Sequence, residues 1–270
     1  MSKRKEVFSG TEHELLSMTR DLDQLHHDVG MPAMEAGIAH MIDHMGALSR
    51  PTSRRTFLMG AGALAGGAAL VTVGSMAAPA LVGAATRSER SERSLMASFP
   101  PAGLKGDLAV AAVAASLENL AVFAYDAGLS AAGAGKLGPV PPAVGTFATT
   151  AKAQHTQHAA AWNGVLKANG KKTVDVVNPT LAPVVQSDFA KVTDIGGLAE
   201  LALTLETIAA QTYQAETSKL KSKAAIGLSS SIQPVEMQHI AILYYVLGKY
   251  PGAQTTGGTP LAFNPTSQAV

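Results

Sequence analysis

Three histidines and three glutamates sit in four short segments whose spacing suits the binding of a metal ion. Gln154-His155-Thr156-Gln157-His158 sets two imidazoles three residues apart, and Glu236-Met237-Gln238-His239 sets a carboxylate and an imidazole at the same step. On an α-helix that step is about 60° around the axis and ~4.5 Å along it, so both members of each pair face one side. Glu118 lies within Leu117-Glu118-Asn119-Leu120-Ala121, and Glu206 within Leu205-Glu206-Thr207-Ile208-Ala209. Burying a carboxylate among such neighbours costs several kcal/mol, on the order given by mutational and transfer data, unless a positive charge offsets it. These stretches hold few lysines, so a cation is the simplest partner for three carboxylates and three imidazoles. Mixed imidazole and carboxylate donors suit Fe, Mn, Zn or Cu, and donor softness alone does not choose among them.

The segments recur in order. Glu118 and Glu206 are each followed seven residues later by a tyrosine, Tyr125 and Tyr213, and each histidine motif is followed at equal offset by a Val-Leu pair, Val165-Leu166 or Val246-Leu247. This pattern reads as an internal duplication of a two-helix unit. Seven residues are two turns, so each tyrosine shares a face with its glutamate. The tyrosines read either as hydrogen-bond donors behind the ligands or as core residues whose hydroxyl finds a partner nearby. Gln154, Gln157 and Gln238 read as outer groups or exposed ones, and Trp162 as packing.

Helical periodicity supplies the elements that carry these residues. Leu108, Val110, Val113, Leu117, Leu120 and Val122 predict a helix over about 106–130. A second starts after Pro141-Pro142 and stops at Asn169-Gly170. A third runs from about Asp194, a candidate N-cap, to 220. A fourth spans about 223–250, with Pro234 either kinking it or marking its true start. Two short links and one long link, 171–185, favour an all-α four-helix bundle with one long crossover connection, the long segment holding an extended piece or an added turn.

Upstream, residues 1–50 read as a polar leader. Thr11 to Glu14 forms a capping box opening an amphipathic run through Leu15, Leu16 and Leu22, which Gly30 is expected to end. Met34, Ile38, Met41 and Met45 make a second stripe. His40 and His44, one turn apart with Asp43 between, are either a weak metal pair or a solvated face, and no third histidine lies nearby to fix them. Residues 51–86 open with Ser53-Arg54-Arg55-Thr56-Phe57-Leu58 and then carry no charge from Thr56 to Thr86. Arg54 and Arg55 before this mildly apolar run resemble a twin-arginine export signal. Small residues at Ala78-Pro79-Ala80 or Gly83-Ala84-Ala85 offer cleavage points. The alternative is a membrane anchor over 57–85, since about 20 apolar residues suffice to span. Residues 87–103 form a charged, then Pro-rich linker, 104–250 the domain, and 251–270 a flexible C-terminal tail. The expected location is across the cytoplasmic membrane, with the twin-arginine translocation machinery as a partner.

Net charge of +1 over 270 residues gives no footing for nucleic acid, and the lack of Cys excludes disulfides and thiolate metal sites. No Gly-rich phosphate loop follows a strand pattern. A homo-oligomer is compatible with the sequence, which marks no surface for it.

The arrangement over residues 104–250 resembles the ferritin-like superfamily of carboxylate-bridged di-iron proteins. The resemblance implies a metal set of Glu118, Glu206, His158, Glu236 and His239, with one Glu from each first helix and Glu-x-x-His from each second helix. Glu236-Met237-Gln238-His239 matches that motif in full, whereas His155 stands where the family has a bridging Glu. One imidazole nitrogen cannot hold two ions as a carboxylate does, and the change removes one negative charge. The expectation is an asymmetric pair of ions bridged by Glu236 alone, or one well-held ion, with iron first and Mn, Zn or Cu open. The implied activities are metal oxidation or peroxide consumption. The contrasting expectation is an exported structural or stress-associated helical protein whose site is degenerate.

Overall fold

The computed structural model describes residues 11–45, 99–101 and 103–249. The expectations for Arg54 and Arg55, for the 51–86 segment, and for the tail beyond 249 lie outside the described residues, as do those for the side chains of His40, Asp43 and His44. Among the described residues every regular element is helical: α1 Glu12–Leu25, a π turn His26–Gly30, α2 Met31–Met45, α3 Asp107–Gly133, α4 Pro142–Ala168, α5 Ala182–Phe189, α6 Ile195–Thr217 and α7 Lys223–Val246.

The bundle is α3, α4, α6 and α7. α3 packs chiefly along α4, and α6 along α7, each pair closed by a short link. Pro141-Pro142 starts α4, Asp194 accepts the Gly197 N–H at 2.8 Å to cap α6, and Ser222 caps α7. α7 runs through Pro234, so its start is at Lys223 rather than at the proline. The long crossover contains the added turn α5. Asn163 Oδ1 accepts the Val174 N–H at 2.7 Å, Asn119 donates to the Val174 carbonyl, and the Asn178 N–H donates to the Ser116 carbonyl at 3.0 Å. Those bonds satisfy backbone groups that a link crossing the bundle would otherwise bury unpaired.

The core is layered. Trp162, Leu166, Leu228 and Ile232 fill one end against the alanines Ala111, Ala112 and Ala115, whose small side chains allow close approach. Phe147, Leu203, Ile240 and Leu243 fill the other end. The six ligand candidates occupy the polar layer between.

The leader differs from its sequence reading. Residues 12–38 dock on the bundle rather than standing free, α1 mainly against α4 and α2 against α7. The Thr11–Glu14 capping box forms as its spacing predicts. Tyr245 of α7 ties it down, donating to Glu14 at 2.5 Å and accepting the Thr11 N–H at 2.9 Å. Gly30 does not end the first helix. The backbone widens into a π turn there, the Met31 N–H reaching back to the His26 carbonyl, and continues into α2. Pro32 follows at once; it lacks an N–H for the residue 28 carbonyl and would crowd it in a regular helix, a conflict the wider turn relieves. The buried stripe Leu15, Leu22, His26, Gly30, Met34 thereby keeps one face inward.

Candidate metal centre

All six candidate ligands converge, each no more than 3 % exposed. α3 contributes Glu118, α4 His155 and His158, α6 Glu206, and α7 Glu236 and His239. Donor atoms of Glu118, His155, His158 and Glu236 lie within 4.8 Å of one another, and so do those of His155, Glu206, Glu236 and His239. His155 and Glu236 belong to both groups. Glu236 faces each group with a different oxygen: Oε1 is 3.1 Å from His158 Nδ1, and Oε2 is 3.4 Å from His239 Nδ1. Around an ion bonded at about 2.1 Å, donors at right angles stand ~3 Å apart, so these spacings fit two adjoining coordination groups.

Hydrogen bonding sorts the atoms further. His155 Nδ1 lies 2.8 Å from Glu118 Oε2 and its Nε2 3.1 Å from Glu206 Oε1. An imidazole donating from both nitrogens is protonated. Burial alone would lower its pKa, but Glu236 and Glu206 raise it well above the usual value. Burial would likewise lower that of His239, which Glu206 lifts to about 9. His158 is raised by Glu118 against the same burial penalty. Burial would raise Glu118, yet His158 pulls it down to about 2, and Glu206 is held low chiefly by His239. Three carboxylates thus face three imidazoles that take up protons when no metal neutralises the site.

Five buried atoms aimed into this space have no hydrogen-bond partner: His158 Nδ1, His239 Nδ1, Glu206 Oε2 and both oxygens of Glu236. Polar atoms at this depth that lie near opposite charge without an aligned hydrogen bond are costly. Their convergence, with donor types suited to transition metals, is the observation on which the residues fit a metal.

Around the six lies a supporting set. The tyrosines bond across the bundle rather than to the glutamate of their own helix: Tyr125 of α3 donates to Glu206 Oε1 at 2.5 Å, and Tyr213 of α6 donates to Glu118 Oε1. Trp162 does more than pack, since its Nε1–H donates to the Tyr213 hydroxyl at 2.8 Å. Gln154 is buried and accepts from His239 Nε2 at 2.8 Å, which turns His239 Nδ1 toward the carboxylates. Gln157 accepts from His26 Nε2 at 2.7 Å. His26 is a residue that the sequence did not single out among the five histidines of the leader. Its ring is buried beside His158, and burial lowers its pKa to about 3. An apolar cavity of about 100 Å³ opens between α3 and α6, where Leu117, Ala121, Leu198 and Leu205 form the walls and Tyr125 and Glu206 the polar end.

A family model described as ferritin-like domain matches residues 106–249, just over half of the 270 residues. The chain belongs to the ferritin-like domain family. No curated protein and no solved structure matches it. The matched span of the ferritin-like domain begins at α3 and ends just past α7, so it contains every one of the six converging side chains and leaves out the leader helices α1 and α2.

Proposed function

We propose that this ferritin-like protein is exported by the twin-arginine route and binds one or two transition-metal ions, iron first, at Glu118, His155, His158, Glu206, Glu236 and His239. Glu236 carries the reading: one fully buried carboxylate presents each oxygen, close to an imidazole but without an aligned hydrogen bond, to a separate imidazole-bearing group. Glu118 and His158 would hold one ion and Glu206 and His239 the other, with Glu236 between. Bound iron would supply one-electron redox chemistry, either its own oxidation or the reduction of peroxide. The chain's own groups keep that chemistry apart from water. Tyr125 and Tyr213 orient Glu206 and Glu118 by donating to the oxygen each keeps away from its nearest imidazole partner or shares with it. The apolar cavity at Tyr125 and Glu206 admits a small apolar molecule while excluding ions. A twin-arginine route, which carries folded proteins, suits loading before transport, and Arg54 and Arg55 are the residues that would direct it.

One observation favours the contrasting reading of a degenerate, structural site. His155 bonds Glu118 and Glu206 at once and so neutralises the cluster from within. Thermal melting with and without iron(II) under anaerobic conditions separates the two. A metal-binding centre gains at least several degrees at saturating metal, whereas a degenerate site melts at one temperature throughout.

A further inference from the structure

The helices ahead of the uncharged run belong to neither reading, yet they close one side of the centre. The His26 ring lies 5.2 Å from that of His158, and its Nε2–H donates to Gln157 on the same helix. Asp23, one turn earlier, accepts from Gln154 Nε2 at 3.4 Å, and Gln154 in turn fixes His239. The leader therefore reaches two of the three imidazoles, one by ring contact and one through a glutamine. Gly30 makes room for this: a Cβ there would stand 3.2 Å from His26 Nδ1. A leader serving only as a soluble tail would not bury Leu15 at 0 %, His26 at 1 % and Met34 at 1 % exposure.

Chain order makes the docking conditional. Residues 12–38 precede the uncharged run Thr56–Thr86, and the bundle follows it. Once a run of that length spans a bilayer, which takes about 20 apolar residues, leader and bundle stand on opposite faces. A hydrogen bond of 2.7 Å between His26 and Gln157 then cannot exist. We propose that residues 12–38 are a detachable cap that seals the metal centre while cap and bundle share one side of the membrane, with His26 and Asp23 as positioning residues, and that export strips it off and opens the Gln154–His158 edge. The stripping half rests on the export reading above; the sealing half rests on the docked contacts alone.

The sealing half is tested on the full chain with Leu15→Asp and Leu22→Asp combined, which puts two carboxylates into the docking face. Modification of His155, His158 and His239 by diethyl pyrocarbonate, read peptide by peptide, needs no metal. It should quicken at least tenfold, and removal of cobalt(II) by a chelator should quicken alongside, while circular dichroism still reports a folded bundle. Rates within twofold of the original chain overturn the sealing. Should the double variant unfold, His26→Ala carries the test through the cobalt(II) absorption spectrum. The spectrum should shift, and His26→Gln, whose amide can still donate to Gln157, should restore it; an unshifted spectrum overturns the positioning role. For the stripping half, the N-terminus of the protein recovered outside the cytoplasmic membrane is sequenced. Absence of residues 12–38, with fast histidine modification, supports stripping. Exported protein that retains them, or no exported protein at all, overturns stripping and leaves the sealing result to stand.

Discussion

Loading this centre with a divalent ion near neutral pH has to expel protons, and the structure sets the scale. Glu206, beside His239, lifts that imidazole to a pKa of about 9 against the burial that would lower it. At pH 7 only about one His239 in a hundred is then free of its proton. The apparent affinity is therefore ~100-fold weaker than that of the deprotonated centre, or about 3 kcal/mol at 1.36 kcal/mol per unit. Each displaced proton steepens log Kapp by about one per pH unit, and His155 and His158, both raised, add to the slope. Cobalt(II) titrations against a competing chelator at pH 6, 7 and 8 read the affinity, and a weakly buffered titration with an indicator dye counts the protons. Affinity should tighten at least tenfold per pH unit, with one or more protons released per cobalt. An affinity flat from pH 6 to 8 with no proton released would refute the charge pairing described here.

Glu236→Gln keeps the side-chain shape but removes the charge shared by both groups, so bound metal should fall below one ion per chain by elemental analysis after dialysis; two retained ions would remove Glu236 from its central place. His155→Glu completes the second Glu-x-x-His, and bound metal should rise toward two ions per chain. The metal-free form of that variant should melt lower than the original, because four carboxylates then face two imidazoles. The metal-free original should itself melt highest near about pH 6.5, because His26, which burial lowers to about 3, costs stability progressively as pH falls below its unfolded value. His239, raised to about 9, contributes fully below its unfolded value and loses that contribution as pH climbs through 9, whereas Glu118, lowered to about 2, loses its contribution as pH falls through 2. Tyr213→Phe deletes the donor to Glu118 and the acceptor for Trp162, at a cost of about 2 kcal/mol in urea unfolding; an unchanged midpoint would mean that chain of bonds holds nothing.

The convergence was legible because the candidate ligands repeat a fixed step on strongly periodic helices: Glu236 and His239 announce a shared face, and apolar neighbours around Glu118 and Glu206 announce burial. What surrounds the centre was not legible. The crossed bonds of Tyr125 and Tyr213 depend on how the two helix pairs meet, which spacing along one helix does not contain. Gln154 looks like any polar residue until α7 brings His239 beside it. The leader was misread for a physical reason. Gly30 and Pro32 are ordinary helix stops, and only burial against α4 and α7 makes a π turn a better use of them. His26 follows Leu15 and Leu22 on the same stripe and precedes Gly30, so spacing alone extends the inward face to it.

Elemental analysis joined to anomalous diffraction on protein from its native host addresses the central claim most directly. Anomalous peaks should appear beside Glu236, one toward His158 and Glu118, the other toward His239 and Glu206, with at least one strongly occupied. Well-ordered crystals in which the six side chains converge, soaked in iron(II) and still showing no anomalous peak there, would contradict it.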